Sequence, residues 1–157
     1  NERFGQLDIL VGNAGILGTL SPMGHIDPKT WDQVMAVNLT ANWRLIRSMD
    51  PLLQKSDAGR AMFVTSSVGS IPRAYWSTYA VSKAALEMMV KVYAEENSKS
   101  RVCANLINPG ATRTRMRAEA MPGEDPLTLK TPGEITDTFV ELAEPTSQNN
   151  GITFDCG

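Results

Sequence analysis

A tyrosine and a lysine four residues apart are the most chemically suggestive pair in this chain. Tyr79 and Lys83 lie in the stretch Ser-Thr-Tyr-Ala-Val-Ser-Lys-Ala-Ala, residues 77–85. Residues i and i+4 share one face of a helix, so we expect the phenol and the ammonium to lie side by side. A neighbouring positive charge favours phenolate and is expected to lower the pKa of the tyrosine. Such a unit can transfer protons to and from the oxygen of a carbonyl or an alcohol.

Two adjacent serines, Ser66 and Ser67, lie a dozen residues upstream, where a strand is expected to end. A hydroxyl in this position can hold a substrate oxygen against the phenol and stabilise the charge that develops there. The alternative is that these serines only satisfy backbone groups at the strand end.

Composition argues against several other kinds of function. The chain has 157 residues, of which 42% are hydrophobic and 20% charged, as in an ordinary soluble globular domain. The net charge of −2 gives no electrostatic case for a nucleic acid or an anionic membrane as partner. No apolar run approaches the ~20 residues that a membrane-spanning helix needs.

Cysteine and histidine usage gives no metal site and no disulfide framework. Cys103 and Cys156 are the two cysteines, which favours a reduced, cytoplasmic setting. His25 is the only histidine, so any site that needs two histidines is excluded.

Alternating apolar runs and helical patterns predict an α/β fold. Turn-forming residues bound four predicted strands, at 7–11, 61–66, 101–108 and 151–155. Between them we predict helices at 28–53, 77–97 and from 132 to about 142, with Asp27 as the first N-cap. A polar segment, 111–131, is expected to be a long loop with some helix. Alternation of this kind gives a doubly wound parallel sheet with helices on its faces.

The two longer predicted helices carry further expectations. Pro51 is a place where the first helix could kink near its end. In the second, an apolar stripe is formed by Val81, Ala85, Met88, Met89 and Val92. This stripe fits either packing on the sheet or contact with a second subunit.

The residues of chemical interest all follow predicted strands. Asn13 comes after the first strand, Ser66 ends the second, and Pro109 and Gly110 follow the third. Ligands of open parallel sheets bind beyond the carboxyl ends of the strands. We therefore expect these residues to meet at one edge of the sheet.

Taken together, these segments resemble the short-chain dehydrogenase/reductase family, in particular its uncharacterised bacterial oxidoreductases. Residues 13–15 are similar to its Asn-Asn-Ala-Gly motif, with Gly12 in place of the first Asn. Residues 37–39 resemble its asparagine motif, Tyr79-x-x-x-Lys83 its active-site signature, and 109–114 its nicotinamide-side loop. Because the motifs occur in order over the whole chain, the resemblance implies a Rossmann-type doubly wound sheet.

The resemblance implies a role for each matching residue. Tyr79 would be the general acid/base, and Lys83 would lower its pKa and bind the nicotinamide ribose hydroxyls. Family spacing places the catalytic serine thirteen residues before the tyrosine and three before a glycine; Ser66 meets both conditions and Ser67 neither. Asn38 would anchor a water that relays protons through Lys83; the alternative is a buried asparagine that caps a backbone group.

The same resemblance implies the cofactor contacts. Asn13, Ala14 and Gly15 would approach the adenosine side of NAD or NADP. Pro109 and Gly110 would shape the nicotinamide pocket, and Thr112 and Thr114 would bond the carboxamide or the phosphates. The alternative is that residues 13–15 and 109–114 form ordinary turns without a role in binding. The alternating arginines at 113, 115 and 117 fit a solvated loop or the attraction of an anionic ligand.

The function so implied is hydride transfer between NAD(P) and a carbonyl or secondary alcohol. A catalytically silent nucleotide-binding or scaffold protein is the alternative. The family usually forms homodimers or homotetramers through its two long helices. Its glycine-rich phosphate loop is not found here, so we expect residues 1–157 to be the C-terminal part of one Rossmann domain. At ~30 residues per β-α-β unit, roughly 80–90 residues would precede residue 1, and these would hold the NAD-versus-NADP determinants.

Overall fold

Four parallel strands form one sheet, as the alternation predicted. The computed structural model describes residues 3–157. The strands are β1 (Ile9–Gly12), β2 (Arg60–Val64), β3 (Cys103–Asn108) and β4 (Thr153–Asp155), and they lie side by side in the order β1-β2-β3-β4. The predicted α/β class is therefore confirmed.

Helices connect the strands at the predicted places. They are α1 (Pro28–Met35), α2 (Ala41–Leu53), α3 (Ser77–Glu96), α4 (Arg115–Ala120) and α5 (Thr136–Ala143). Asp27 caps α1 as expected, because its carboxylate accepts the backbone N–H of Thr30 at 3.1 Å. The polar segment 111–131 contains α4 and a short 3-10 turn, and a bridge between Thr112 and Lys130 ties its ends together.

The sheet is covered on both faces because side chains alternate along each strand. Phe63 and Leu106 belong to the larger core, which includes Leu86 and Val90 of α3. Their strand neighbours Met62 and Ile107 point the other way and pack against Leu142 and Phe139 of α5. Helices on opposite faces make the sheet doubly wound, as predicted.

The long helix predicted at 28–53 contains a widened turn. Ala36–Thr40 is π-helical and separates α1 from α2, whereas the helix runs through Pro51 to Leu53. The Asn42 side chain donates to the Asn38 carbonyl at 2.8 Å. A π turn disturbs the regular backbone pairing, and such turns are frequent at functional sites. Here it lies at Asn38, one of the residues that the sequence singled out.

The apolar stripe of α3 faces away from the sheet at three of its five positions. Val81, Met88 and Val92 are 37%, 63% and 48% exposed. The buried face of α3 instead includes the polar residues Tyr79 and Lys83. Packing only on the sheet, one of the two interpretations of this stripe, is therefore wrong for these three residues.

Gly12 lies at the closest approach of β1 to its neighbours. An added Cβ there would overlap the Asn42 amide oxygen and lie 2.8 Å from Cε1 of Phe63, which is fully buried. The space that a side chain would need is already filled. This explains in physical terms why glycine stands at the position where the resembled motif has asparagine.

We predict that Gly12→Ala lowers the free energy of unfolding by about 1–3 kcal/mol, because the methyl group forces Asn42 or Phe63 out of place. Chemical denaturation of the natural full-length protein measures this. Gly24→Ala is the matched control, since nothing lies within 4 Å of a Cβ added there. Equal stability of the two variants would contradict the packing argument.

Candidate active site

The carboxyl ends of β1, β2 and β3 open onto a cavity of about 500 Å³. The predicted site residues that line it are Asn13, Ala14, Gly15, Ser66, Tyr79, Lys83, Pro109, Gly110, Thr112 and Thr114. These residues come from separate loops and from α3, and strand register brings them together: Gly12 pairs with Phe63, and Val64 with Ile107. The expected convergence at one edge of the sheet is observed.

Tyr79 reaches the cavity from the first turns of α3. It is 8% exposed and packs edge-on against Trp76, with 5.9 Å between the ring centroids. Burial raises the pKa of Tyr79, and hydrogen bonding to the Ser66 hydroxyl offsets part of this rise. The sequence argument that Lys83 lowers this pKa is wrong about the net direction, because desolvation outweighs the other effects. The phenol is thus held in its protonated, donating form at neutral pH.

Lys83 is buried one helical turn beyond Tyr79. Its ammonium donates to the Val64 carbonyl at 2.8 Å and lies 5.6 Å from the centroid of the Tyr79 ring. Burial lowers the pKa of Lys83 to about 8. An ammonium has three N–H donors, so the bond to Val64 leaves donors for a ligand in the cavity that Lys83 lines.

Asn38 is fully buried behind the wall of the cavity and does not line it. Its side chain accepts the Ile16 N–H at 2.8 Å and donates to the Ile16 carbonyl at 2.9 Å. It also donates to the Ser82 hydroxyl at 3.0 Å, and Ser82 in turn donates to the Tyr79 carbonyl at 2.7 Å. The asparagine therefore joins the loop after β1 to the helix that carries Tyr79. These contacts include the binding of backbone groups that was the alternative weighed for Asn38, and its predicted hold on a water stays a prediction.

Gly15 lies close to the side chains of both Asn38 and Lys83. The position that a Cβ on Gly15 would take lies 3.5 Å from both the Asn38 amide oxygen and the Lys83 ammonium. A glycine at this point leaves the space beside the two polar groups free of a side chain.

The loop after β3 uses its polar groups to hold its own shape. The Thr112 hydroxyl donates to the Pro109 carbonyl at 3.1 Å, and the Thr114 hydroxyl accepts the Arg117 N–H at 3.2 Å as the N-cap of α4. Gly110 has a φ of +69°, a backbone conformation that favours glycine. Both threonine oxygens remain able to form one further hydrogen bond with a ligand.

Of the two aromatic residues before α3, one faces the cavity and the other does not. Trp76 lines it, whereas Tyr75 is 62% exposed with a φ of +72°. Sequence reasoning missed several apolar lining residues: Leu17, Met116, Ala120, Ile135 and Phe139. Leu17, two residues after the Asn-Ala-Gly motif, is the one that proximity to a motif could have indicated.

Comparison with known proteins agrees with this geometry. A family model described as short chain dehydrogenase matches residues 1–125. The chain belongs to the short-chain dehydrogenase family. It is 46% identical over 154 residues to the Escherichia coli K12 protein named uncharacterized oxidoreductase YciK, covering 98% of this chain and 61% of that protein.

The names of two further relatives mention a cofactor. A Shigella flexneri short chain dehydrogenase solved in complex with NADP superposes with a TM-score of 0.94 at 44% identity, over 99% of this chain and 65% of that one. A Mycobacterium tuberculosis protein named NAD-dependent oxidoreductase is 34% identical over 160 residues, 90% of this chain and 58% of that protein. The chain thus spans about three-fifths of the length of these short-chain dehydrogenase relatives.

Two features are absent from the described part of this short-chain dehydrogenase, residues 3–157. No helix there has the length and apolar character needed to cross a bilayer. Within the same residues, no group of three or more His, Cys, Asp or Glu side chains is arranged to hold a metal ion.

We predict that the buried ammonium of Lys83 makes stability pH-dependent. Its pKa falls from an ordinary 10.5 to about 8, so the folded state binds fewer protons between these values and stability rises with pH there. Below pH 8 the folded state carries the buried charge, so the full cost of burying it lowers the free energy of unfolding. Denaturation between pH 8 and 10 should show a gain of about 2 kcal/mol relative to Lys83→Met.

The difference between the two proteins isolates this lysine, since surface groups titrate alike in both. Tyr79 and Tyr93, whose pKa values are raised, oppose the trend only above their ordinary pKa of 10.0. If the free energy of unfolding changed equally with pH in the natural protein and in Lys83→Met between pH 8 and 10, the ammonium would not be desolvated.

Proposed function

We propose that the protein is an NAD(P)-dependent oxidoreductase that transfers a hydride between nicotinamide and a carbonyl or secondary alcohol. The observation that carries this proposal is the meeting of the Ser66 hydroxyl and the Tyr79 phenol in the cavity beyond the strand ends. Lys83 lies beside them, 5.6 Å from the tyrosine ring. A protein that only binds nucleotides has no need of such a proton-transfer unit.

The residues present fit a dinucleotide. The cavity of about 500 Å³ is within the usual range for small-molecule sites. Asn13, Ala14 and Gly15 would hold the adenosine side, Lys83 the nicotinamide ribose, and the loop from Pro109 to Thr114 the nicotinamide ring. When bound, the nicotinamide supplies or accepts the hydride. The NADP and NAD in the names of two relatives support this assignment.

In the direction of reduction, the side chains act on the carbonyl oxygen of the substrate. Ser66 donates a hydrogen bond to that oxygen and stabilises its developing negative charge. Tyr79 then transfers its phenolic proton to the same oxygen. Because burial raises the pKa of Tyr79 above its ordinary value of 10.0, the phenol carries the proton that this step needs at neutral pH. General acid catalysis of this kind contributes roughly 10²–10⁴ in rate.

Lys83 would then return a proton to the tyrosine. With a pKa of about 8, its ammonium can release and regain a proton near neutral pH. We assign to Asn38 the anchoring of a water on the path between Lys83 and solvent. Its support is the amide oxygen of Asn38, which accepts one N–H, from Ile16, and lies as close to the Cβ position of Gly15 as the Lys83 ammonium does.

The protein is also proposed to be a cytoplasmic homodimer or homotetramer that pairs through its long helices. Val81, Met88 and Val92 of α3 support this, because they form an exposed apolar stripe on a helix that buries its other face. Trp43 of α2 is 47% exposed as well. Larger exposed apolar patches mark protein contacts, and these residues would contribute to one.

Replacing Tyr79 by Phe should abolish hydride transfer while cofactor affinity changes less than about threefold, because only the transferable proton is lost. The measurement is nicotinamide absorbance with a panel of ketones and alcohols, beside cofactor titration, on the full-length protein. Tyr75→Phe, at an exposed position outside the cavity, is the matched control. Retention of most activity in Tyr79→Phe would rule out the proposed mechanism.

Replacing Met88 by Glu should shift the assembly toward smaller species, since a charge would then have to be buried in the subunit contact. Size-exclusion chromatography with light scattering measures the mass of the full-length protein. Met23→Glu makes the same change at a residue that is 64% exposed and lies outside α2 and α3. An unchanged mass for Met88→Glu would exclude this face as the contact.

A further inference from the structure

One wall of the cavity is apolar. Leu17, Val68, Trp76 and the Tyr79 ring form a buried cluster against which Met116 and Ala120 of α4, among others, pack. Of these side chains, all but Val68 also line the cavity. The surface presented beside the reactive phenol is therefore a patch of aromatic and aliphatic carbon, which favours an apolar group on the substrate.

Two cationic side chains line the cavity, and no acidic side chain of the described residues does so. Lys83 is held at the Val64 carbonyl, next to the tyrosine. Arg117 of α4 is the second cation, and by position it is the one that could recognise a carboxylate on the substrate.

The charge of Arg117 is already paired. Its Nε and Nη2 donate to the two carboxylate oxygens of Glu124 at 2.5 and 2.6 Å. Both side chains are largely covered, with 22% and 27% exposure. This hydrogen bonding, aided by the nearby charge of Arg73, holds the pKa of Glu124 below its usual range, so the carboxylate is ionised at neutral pH. A two-pronged pair of this kind is the strongest arrangement open to a guanidinium and a carboxylate.

We propose that the substrate is an uncharged carbonyl compound with an apolar, aromatic-sized group, and that Glu124 enforces this choice. By occupying Arg117, Glu124 removes the cation that would otherwise attract a carboxylate-bearing competitor. The Lys83 ammonium is held by the Val64 carbonyl and, in the proposed function, by the nicotinamide ribose. A substrate anion beside α4 would then enter an apolar region without a cation as partner, which is costly. This inference rests on the proposed function of the same cavity and names its substrate class.

The same helix provides a matched control. Arg115 and Glu119 also form an ion pair, but their side chains are 93% and 53% exposed. Neither residue lines the cavity. Glu119→Gln therefore makes the same charge change as Glu124→Gln, close by in sequence, without freeing a cation in the cavity.

The test compares two ligands that differ by one carboxylate, acetophenone and para-acetylbenzoate. Their dissociation constants are measured by calorimetry on the full-length protein, without cofactor and with oxidised NADP or NAD. Oxidised cofactor has no hydride to give, so binding is read without turnover. The natural protein should bind the neutral ketone at least about tenfold more tightly, the equivalent of ~1.4 kcal/mol.

Glu124→Gln should strengthen binding of the carboxylate about tenfold and leave the neutral ketone nearly unchanged. Glu119→Gln should change neither. Adding Arg117→Met to Glu124→Gln should remove the gain, which assigns it to the freed guanidinium. Circular dichroism and thermal denaturation show that each variant is folded.

Three results would overturn the inference: preference of the natural protein for the carboxylate, no gain for the carboxylate in Glu124→Gln, or no binding of either ligand. These results are distinct from a failure of the proposed function. That failure would be tight binding of neutral ketones without hydride transfer to any of them, or turnover that survives Tyr79→Phe.

Discussion

The hydrogen bond from the Lys83 ammonium to the Val64 carbonyl fixes the geometry on which the site depends. It joins α3, which carries Tyr79, to the end of β2, which leads directly into Ser66. The bond forms in a largely desolvated place, where a charge is expensive. The lowered pKa of Lys83 reflects that cost. The fold thus gives up some stability in order to hold the Lys83 amine, the Tyr79 phenol and the Ser66 hydroxyl close together.

A second set of buried polar contacts keeps the surrounding elements in register. Asn38 holds both backbone groups of Ile16 and reaches Ser82 on the buried face of α3. On the same face the Glu87 carboxylate accepts the Thr65 hydroxyl at 2.8 Å, next to Ser66. Each of these groups is hydrogen-bonded, and satisfied polar networks of this kind specify one arrangement of a core. Because each of these polar groups has a hydrogen-bond partner, the elements around the site are expected to keep one arrangement.

These contacts explain where sequence patterns were less informative. Helical periodicity indicated that Val81, Met88 and Val92 form one apolar stripe, but gave no sign that it faces outward. The inward face carries Tyr79 and Lys83 at the cavity and Leu86 and Val90 in the main core, and contacts with other elements of the fold decide which side is buried. Likewise, no local propensity marks the π turn at Ala36–Thr40. The direction of the Tyr79 pKa shift was also missed, since desolvation depends on packing by residues distant in sequence.

The sequence alone determined the α/β class, the order of strands and helices along the chain and most of the polar residues that line the cavity. It could do so because turn residues, strand ends and the Tyr-x-x-x-Lys spacing are local, and parallel strands bring their carboxyl ends to one edge. Only the tertiary structure decided that Asn38 lies behind the cavity, that Trp76 faces it while Tyr75 does not, and that Glu124 pairs with Arg117. These outcomes depend on burial and on which side chains meet across elements, and no local pattern encodes either.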